Sequence, residues 1–218
     1  MKIYAVADIH ARSHRLENIR AGIAELQPDC VIIAGDMISY FRPGPVFSVL
    51  DALAVPVFAV RGNSDPSYLE KHLKRLSNVA SLHARKIVFK AIPLVGISGA
   101  IPVPFRSRIR FLEKGLFARI KPLVDQDTVL VVHPPPYGVR DRVGRKVSAG
   151  SKGVRTLVEE TRPAVVICGH IHEDAGIDRL GATLVVNCCM TGKNRGALIT
   201  LEPGREPDVE MLYKNQKE

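Results

Sequence analysis

Residues 2–10 read KIYAVADIH, a short run of mostly apolar residues that leads directly into Asp8 and His10. The apolar part predicts a strand, and the next segment predicts a helix to about residue 26, with Ser13 as its cap. Residues 31–34 are continuously apolar, as expected of a strand buried on both faces. This alternation continues to about residue 76, which predicts a mostly parallel sheet covered by helices.

The second half of the chain continues the alternation but ends in strands. Further helices are predicted at residues 44–54, 67–76, 108–120 and 151–160, the last capped by Ser151, and further strands at 57–60, 87–89, 94–98, 129–133 and 165–168. Four β segments follow from about residue 175 to residue 213, and they predict a second sheet of mixed or antiparallel pairing. Residues 100–110 and 134–153 are rich in Pro, Gly and Arg and are expected to be long loops, which are often functional.

The composition is that of a globular protein, with 218 residues of which 46% are hydrophobic and 24% charged. These values exclude a disordered chain, a collagen-like chain and a disulfide miniprotein. Residues 1–218 are expected to form one domain. Since the apolar runs are too short to cross a bilayer and no secretory signal follows Met1, we expect a soluble, cytoplasmic protein with no membrane partner.

The charge balance suggests what kind of partner the protein has. Lys and Arg total 31 against 22 Asp and Glu, so the formal net charge is +9. A basic surface favours phosphorylated metabolites or nucleic acid, although solubility alone explains it equally well. Aromatic residues are only 6% and Trp is absent, so nucleic acid is possible but not favoured. The four cysteines form no C-x-x-C pair, and buried free thiols are expected, with a disulfide as the alternative.

Polar residues follow the predicted strands where each strand ends. Ligand sites in parallel α/β sheets form beyond the carboxyl ends of the strands, so these side chains are expected to converge. Glycines precede three of them, where the backbone must turn tightly or approach another segment closely. The seven residues are Asp8, His10, Asp36, Asn63, His133, His170 and His172.

These seven side chains predict a metal site. Carboxylate and amide oxygens and imidazole nitrogens are ligands for hard to borderline metals. Seven ligands are too many for one catalytic ion, but they suit two ions about 3.5–4 Å apart that share a carboxylate. The spacings D-x-H and H-x-H predict extended segments in which both side chains point the same way. Asp or Asn after a strand is commonly only a turn residue, so it is the ordered set that carries the prediction.

At these residues the sequence resembles the calcineurin-like metallophosphoesterases. The family pattern D-x-H, G-D, G-N, H and G-H-x-H occurs here in order, at residues 8–10, 35–36, 62–63, 133 and 169–172. The segments HPPPYG at 133–138, CGHIHE at 168–173 and VVN at 185–187 are most similar to the small phosphodiesterase branch, which includes the metallophosphoesterase-domain proteins. The resemblance implies a four-layer αββα sandwich, in which two mixed sheets pack face to face between helices.

The resemblance also implies how the ligands divide between two divalent ions. One ion would take Asp8, His10, Asp36 and His172, and the other Asp36, Asn63, His133 and His170, so that Asp36 bridges. The family uses manganese, iron, zinc or nickel. We favour manganese, although the ligand set alone does not choose among them.

One block departs from the pattern of many family members, which read G-N-H-[DE]. Here the block is GNSD at residues 62–65, so Ser64 replaces a histidine that serves as general acid or orients the phosphate. Serine cannot protonate a leaving group near neutral pH, and the missing help is worth about 10²–10⁴-fold. The departure therefore favours diesters or activated monoesters, and small phosphodiesterases of this superfamily often share it. Asp65 is expected to cap the helix that follows, or else to orient a ligand imidazole.

We therefore predict a metal-dependent phosphodiesterase, in which a hydroxide bridging the two ions attacks phosphorus in line. Asp36, Asn63 and His133 are the predicted catalytic residues. Arg12, Asn63 and Ser64 are predicted to contact a small phosphodiester or nucleotide-like substrate, and Arg42 and Arg106 are further candidates at the rim.

Two other functions are compatible with the same sequence. The first is a nuclease, which the +9 charge suggests. The second is a non-catalytic scaffold on the same fold, which an eroded ligand set would indicate. Here no ligand is missing, so the sequence disfavours the scaffold.

Overall fold

The computed structural model describes residues 1–38, 44–99, 109–144 and 146–214. Its helices are α1 (Ser13–Leu26), α2 (Gly44–Asp51), α3 (Leu69–Leu73), α4 (Ile109–Ile120) and α5 (Lys152–Thr161). Its strands are β1 (Lys2–Val6), β2 (Cys30–Ala34), β3 (Val57–Val60), β4 (Val79–Ser81), β5 (Lys86–Phe89), β6 (Ile92–Ile97), β7 (Val129–Val132), β8 (Arg142–Val143), β9 (Val147–Ser148), β10 (Val165–Cys168), β11 (Gly176–Leu180), β12 (Thr183–Asn187), β13 (Asn194–Thr200) and β14 (Asp208–Tyr213). Short 3₁₀ turns follow at Lys121–Leu123 and His172–Asp174.

Two six-stranded mixed sheets make up the framework. The first has the order β14-β13-β1-β2-β3-β4, with parallel pairing from β1 to β4 and antiparallel pairing on the β13 side. The second has the order β11-β12-β10-β7-β6-β5, with four parallel strands between two antiparallel edge strands. The predicted α/β class with two mixed sheets is confirmed.

Alternate residues of each central strand face different layers, which produces the sandwich. In β1, Ile3 and Ala5 belong to the cluster between the two sheets, whereas Tyr4 and Val6 pack toward α1. The second sheet behaves in the same way, with one face toward the first sheet and the other toward α4 and α5. Because both faces are covered, the central strands are apolar at nearly every position. The layers are therefore helix, sheet, sheet and helix, as the resemblance implied.

The tail of the chain is the largest correction to the predicted topology. Its four strands do not form a sheet of their own, because β11 and β12 extend the second sheet while β13 and β14 extend the first. The segment between β12 and β13 crosses from one sheet to the other, where Ala7 donates to Cys188 and Met190 donates back to Ala7. Apolar alternation identifies a strand but not its partner, so the sequence could not show this division.

Several smaller predictions also need correction. Helix α1 has Arg12 as its N-cap with no side-chain cap bond, so Ser13 is not the cap. Helix α3 is only five residues long, and the chain then adds β4, which was not predicted. The predicted loop at 134–153 contains the hairpin of β8 and β9. The Ser151 cap is confirmed, since its hydroxyl accepts from the Val154 amide.

The predicted free thiols are confirmed, because all four cysteines are buried and unpaired. Among the described residues, no helix combines the length and apolar character needed to cross a membrane.

Candidate metal centre

The structure brings all seven predicted ligands to one end of the sandwich, beyond the carboxyl ends of β1, β2, β3, β7 and β10. Asp8 and His172 are in contact, with Oδ1 and Nε2 3.0 Å apart. His10 Nε2 lies between two carboxylates, 3.7 Å from Asp8 Oδ1 and 3.7 Å from Asp36 Oδ2. Ligand atoms of Asp8, His10 and His172 therefore lie within 4.8 Å of one another, which is close enough to surround one cation.

Asp36 continues the cluster toward the second group of side chains. Its Oδ2 lies 3.5 Å from His133 Nε2. The amide oxygen of Asn63 then lies 2.9 Å from His133 Nε2 and 2.9 Å from His170 Nδ1. The seven residues thus form one continuous line of contacts, with Asp36, the predicted bridging ligand, in the middle.

The backbone at the ligands is strained rather than extended. Asp8, His10, Asp36 and His170 have φ of 60°, 51°, 53° and 71°, in the left-handed region. This conformation costs about 1–2 kcal/mol for most residues with a side chain, less for Asp, and persists where the surroundings impose it, most often at functional sites. The prediction that D-x-H converges through an extended segment is therefore wrong, since left-handed turns aim these side chains.

Glycine at three positions permits the close approach of the ligand segments, as predicted. A Cβ at Gly35 would lie 2.4 Å from the His133 ring, and one at Gly62 would lie 2.1 Å from the Asp36 carboxylate. A Cβ at Gly169 would lie 2.6 Å from Asp8 Oδ2. Each distance is too short for any other residue, so these glycines are required by the packing of the site.

The main chain orients the imidazole of His133, one of the predicted metal ligands. It is fully buried, and its Nδ1–H donates to the carbonyl of Ala34 at 2.8 Å. That bond orients the ring, and when the imidazole is neutral it places the Nε2 lone pair toward Asp36 and Asn63.

The electrostatics of the cluster shift the pKa values of two of its imidazoles, those of buried His133 and half-buried His170, in opposite directions. Burial would lower the pKa of His133, but the Asp36 and Asp8 carboxylates outweigh it and raise the pKa to about 9. Burial lowers the pKa of His170 to about 4, so this ring is neutral near pH 7. Burial raises the pKa of Asp8, yet hydrogen bonds and nearby histidines leave a net lowering, so Asp8 is ionised. Two buried carboxylates among nitrogen donors fit divalent cations.

Three groups that support the ligands were not assigned from the sequence. Buried Asp65 accepts from the amides of Met37, Ile38 and Gly62, so it ties the Asp36 loop to the Asn63 loop. Asp65 is therefore neither a helix cap nor a partner of an imidazole. The Cys189 thiol donates to Asp8 Oδ2 at 2.8 Å, and the buried Arg15 guanidinium donates to the Asp8 carbonyl. No local sequence pattern indicates the contact of Cys189 with Asp8. Asp65, in contrast, lies in the GNSD block, which departs from the pattern of many family members.

The predicted substrate contacts lie close to this cluster but differ in their surroundings. Ser64 donates to Asp36 twice, from its amide at 2.8 Å and from its hydroxyl at 2.9 Å. The Arg12 side chain is exposed, and its guanidinium makes no hydrogen bond or ion pair with a residue that the structure describes. Arg42 and Arg106 lie outside the described residues.

Comparisons with known proteins give one consistent family. A family model described as calcineurin-like phosphoesterase matches residues 1–174, which include all seven ligands. The uncharacterized protein MJ1162 of Methanocaldococcus jannaschii is 28% identical over 201 residues, covering 86% of this chain and 87% of that protein.

Solved structures with other sequences share the fold. A dimetal phosphatase from Danio rerio has a TM-score of 0.61 at 12% identity, covering 97% of this chain and 95% of that chain. A structure from a characterization of a novel archaeal phosphodiesterase has a TM-score of 0.52 at 15% identity, covering 97% and 100%. At these identities the likeness shows the fold alone.

Proposed function

Because this chain belongs to the calcineurin-like phosphoesterase family, whose members are hydrolases, we propose that it is a dinuclear-metal phosphodiesterase acting on small or nucleotide-like phosphodiesters. The observation that carries the proposal is the continuous line of seven ligand side chains with Asp36 at its centre. Four of the predicted ligands have strained backbone conformations, which lower the stability of the fold. In a non-catalytic scaffold nothing would offset that loss of stability. The catalytic assignments of Asp36, Asn63 and His133 belong to this proposal.

The family resemblance implies a division of the donor set between two cations, and the proposal adopts it. Asp8, His10, Asp36 and His172 would hold one, and Asp36, Asn63, His133 and His170 would hold the other, with manganese favoured among manganese, iron, zinc and nickel. When bound, such ions supply Lewis-acid stabilisation of charge on the phosphoryl group.

The proposed site has a buried base and a partly exposed edge from which a substrate would enter. Asp8, Asp36 and His133 are buried, so their positions are set by packing and hydrogen bonds. The side chains of His10 and His172 are 21% and 43% exposed, so the substrate would approach from their side. Arg12 follows His10 on the same loop, and we propose that its exposed guanidinium binds a phosphate oxygen.

The preference for diesters rests on Ser64. Its hydroxyl donates to Asp36, so it supports a ligand and supplies no proton to a leaving group. Two other histidines are engaged elsewhere, since His72 packs against Phe47 and His83 accepts from the Ser98 amide. Esters with good leaving groups depend least on general acid catalysis, so among the proposed diesters those with an aryl leaving group should be hydrolysed fastest.

The decisive test combines metal analysis with a substrate panel. We expect about two equivalents of Mn²⁺ to bind, and hydrolysis of aryl phosphodiesters to exceed that of alkyl monoesters, with cyclic nucleotides and dinucleotides as the nucleotide-like members of the panel. Wild-type protein that binds no divalent ion, or that hydrolyses no phosphate ester when loaded, would overturn the proposal.

A nuclease is the second candidate, because the net charge of +9 favours a polyanion. Binding of a short single-stranded DNA would separate the two functions. If the protein is a nuclease, its affinity for this DNA should fall steeply as the salt concentration rises, since several phosphate contacts release counterions.

Replacing Ser64 with histidine tests the account of leaving groups. We expect Ser64→His to raise kcat/KM for an alkyl phosphomonoester by about 10²-fold, because an imidazole can donate the proton that serine cannot. Aryl diesters should change little. Ser64→Ala is the matched control, since it also removes the hydroxyl bond to Asp36 and should bring no gain. An unchanged ratio between monoester and diester rates in Ser64→His would contradict this account.

A further inference from the structure

Asn187 lies where the second sheet meets the segment that carries two of the proposed ligands. It is the last residue of β12 and is fully buried. Its neighbours across the sheet are Cys168 at the end of β10 and Gly176 at the start of β11. The connection between those two strands contains His170 and His172, so it must pass over the Asn187 side chain.

The amide of Asn187 holds this connection at two points. Its Nδ2 donates to the carbonyl of Ile171 at 2.9 Å and to that of Asp174 at 3.2 Å. Those carbonyls lie on either side of His172. A weaker contact at 3.3 Å joins the same nitrogen to the carbonyl of Arg140, at the base of the β8–β9 hairpin. A single buried side chain thus clamps the turn from which His172 projects.

The oxygen of the Asn187 amide contacts Cys189, the residue whose thiol donates to Asp8. Its Oδ1 accepts from the amide of Cys189 at 3.3 Å, and the Cys189 thiol donates to Asp8 Oδ2 at 2.8 Å. Asp8 in turn meets His172 at 3.0 Å. Asn187 therefore contacts the backbone on both sides of His172 through its Nδ2, and it contacts Cys189, which donates to Asp8, through its Oδ1.

We propose that Asn187 is a positioning residue that holds His172 against Asp8 and thereby sets the affinity of the site for divalent cations. The inference rests on the proposed metal site. Since the His172 imidazole is itself partly exposed, packing around the ring does little to fix it, and its position depends on the backbone turn that Asn187 clamps. Partners that orient ligands in this way commonly change metal affinity by 10–100-fold when they are removed.

The test compares Asn187→Ala with Asn78→Ala in the full chain. Asn78 is a matched control, because its Nδ2 also donates to two carbonyls, those of Leu53 and Val55, but between α2 and β3, away from the ligands. We expect Asn187→Ala to weaken Mn²⁺ binding at one or both sites by tenfold or more in a calorimetric titration. Asn78→Ala should change it by less than twofold.

Hydrogen exchange of the metal-free proteins gives a second readout. The amides of residues 170–175 should exchange faster in Asn187→Ala than in wild type and stay unchanged in Asn78→Ala. Asn187→Ser, which keeps one short donor, is measured alongside in case the alanine variant does not fold, and a similar loss of affinity is expected. Wild-type Mn²⁺ affinity in Asn187→Ala, or in Asn187→Ser when alanine is not folded, would overturn the inference and leave the proposed function standing. Absence of Mn²⁺ binding by wild type would overturn both.

Discussion

Asp36→Ala should abolish phosphodiester hydrolysis, with a fall in kcat of about 10³-fold or more, which corresponds to about 4 kcal/mol in the activation free energy. Asp36 lies at the centre of the contacts among the seven predicted ligands, with its Oδ2 3.7 Å from His10 Nε2 and 3.5 Å from His133 Nε2. Its loss would leave the two halves of the site without their shared carboxylate. The bound Mn²⁺ should fall from about two equivalents to one or fewer, as measured on the purified protein.

Asp36→Asn is the control that separates loss of charge from loss of backbone conformation. Asp36 has φ of 53°, and alanine there costs about 1–2 kcal/mol, whereas asparagine tolerates the left-handed region. Asparagine also keeps an oxygen that can accept from Ser64. We expect both variants to lose activity and metal. Full turnover with two bound ions in either variant would remove Asp36 from the bridging position.

Gly62→Ala should damage the site almost as severely without removing any ligand. The added Cβ would lie 2.1 Å from Asp36 Oδ1 and 2.5 Å from the Asp36 backbone nitrogen, so the Asp36 and Asn63 loops must separate. Overpacking of this kind typically costs about 1–3 kcal/mol in the free energy of unfolding. Activity should fall by about 10²-fold or more, because a ligand displaced by about 1 Å no longer matches the geometry of the site.

Gly115→Ala is the matched control for that substitution. Gly115 lies in α4, and a Cβ there would meet no heavy atom of the described residues within 4 Å, apart from the backbone of the helix itself. Alanine is favoured over glycine inside a helix by about 1 kcal/mol, so the melting temperature should stay the same or rise. Both variants are compared by thermal unfolding in chelator and by kcat/KM with Mn²⁺. A Gly62→Ala protein that matches Gly115→Ala in both measurements would show that the two loops are not tightly packed.

Two features that support the proposed function can be read from the sequence alone. Apolar strands alternate with helices, and polar residues follow the strands, from Asp8 after the first to His172 after the tenth. Because parallel strands end at one edge of a sheet, these local patterns were sufficient to predict that seven side chains would meet. The prediction required no knowledge of which strands are neighbours.

How those side chains are held depends on contacts that form only in the folded chain. The left-handed backbone at Asp8 and Asp36, the three amides gathered by Asp65, and the Cys189 thiol against Asp8 are all absent from the local pattern. Residue 189 reaches residue 8 because the tail returns to the first sheet beside β1, a pairing that alternation does not specify. Local sequence encodes burial and backbone preference, whereas contacts between distant segments depend on which strands pair. Only the folded chain settles that pairing, since many competing arrangements bury the same apolar residues.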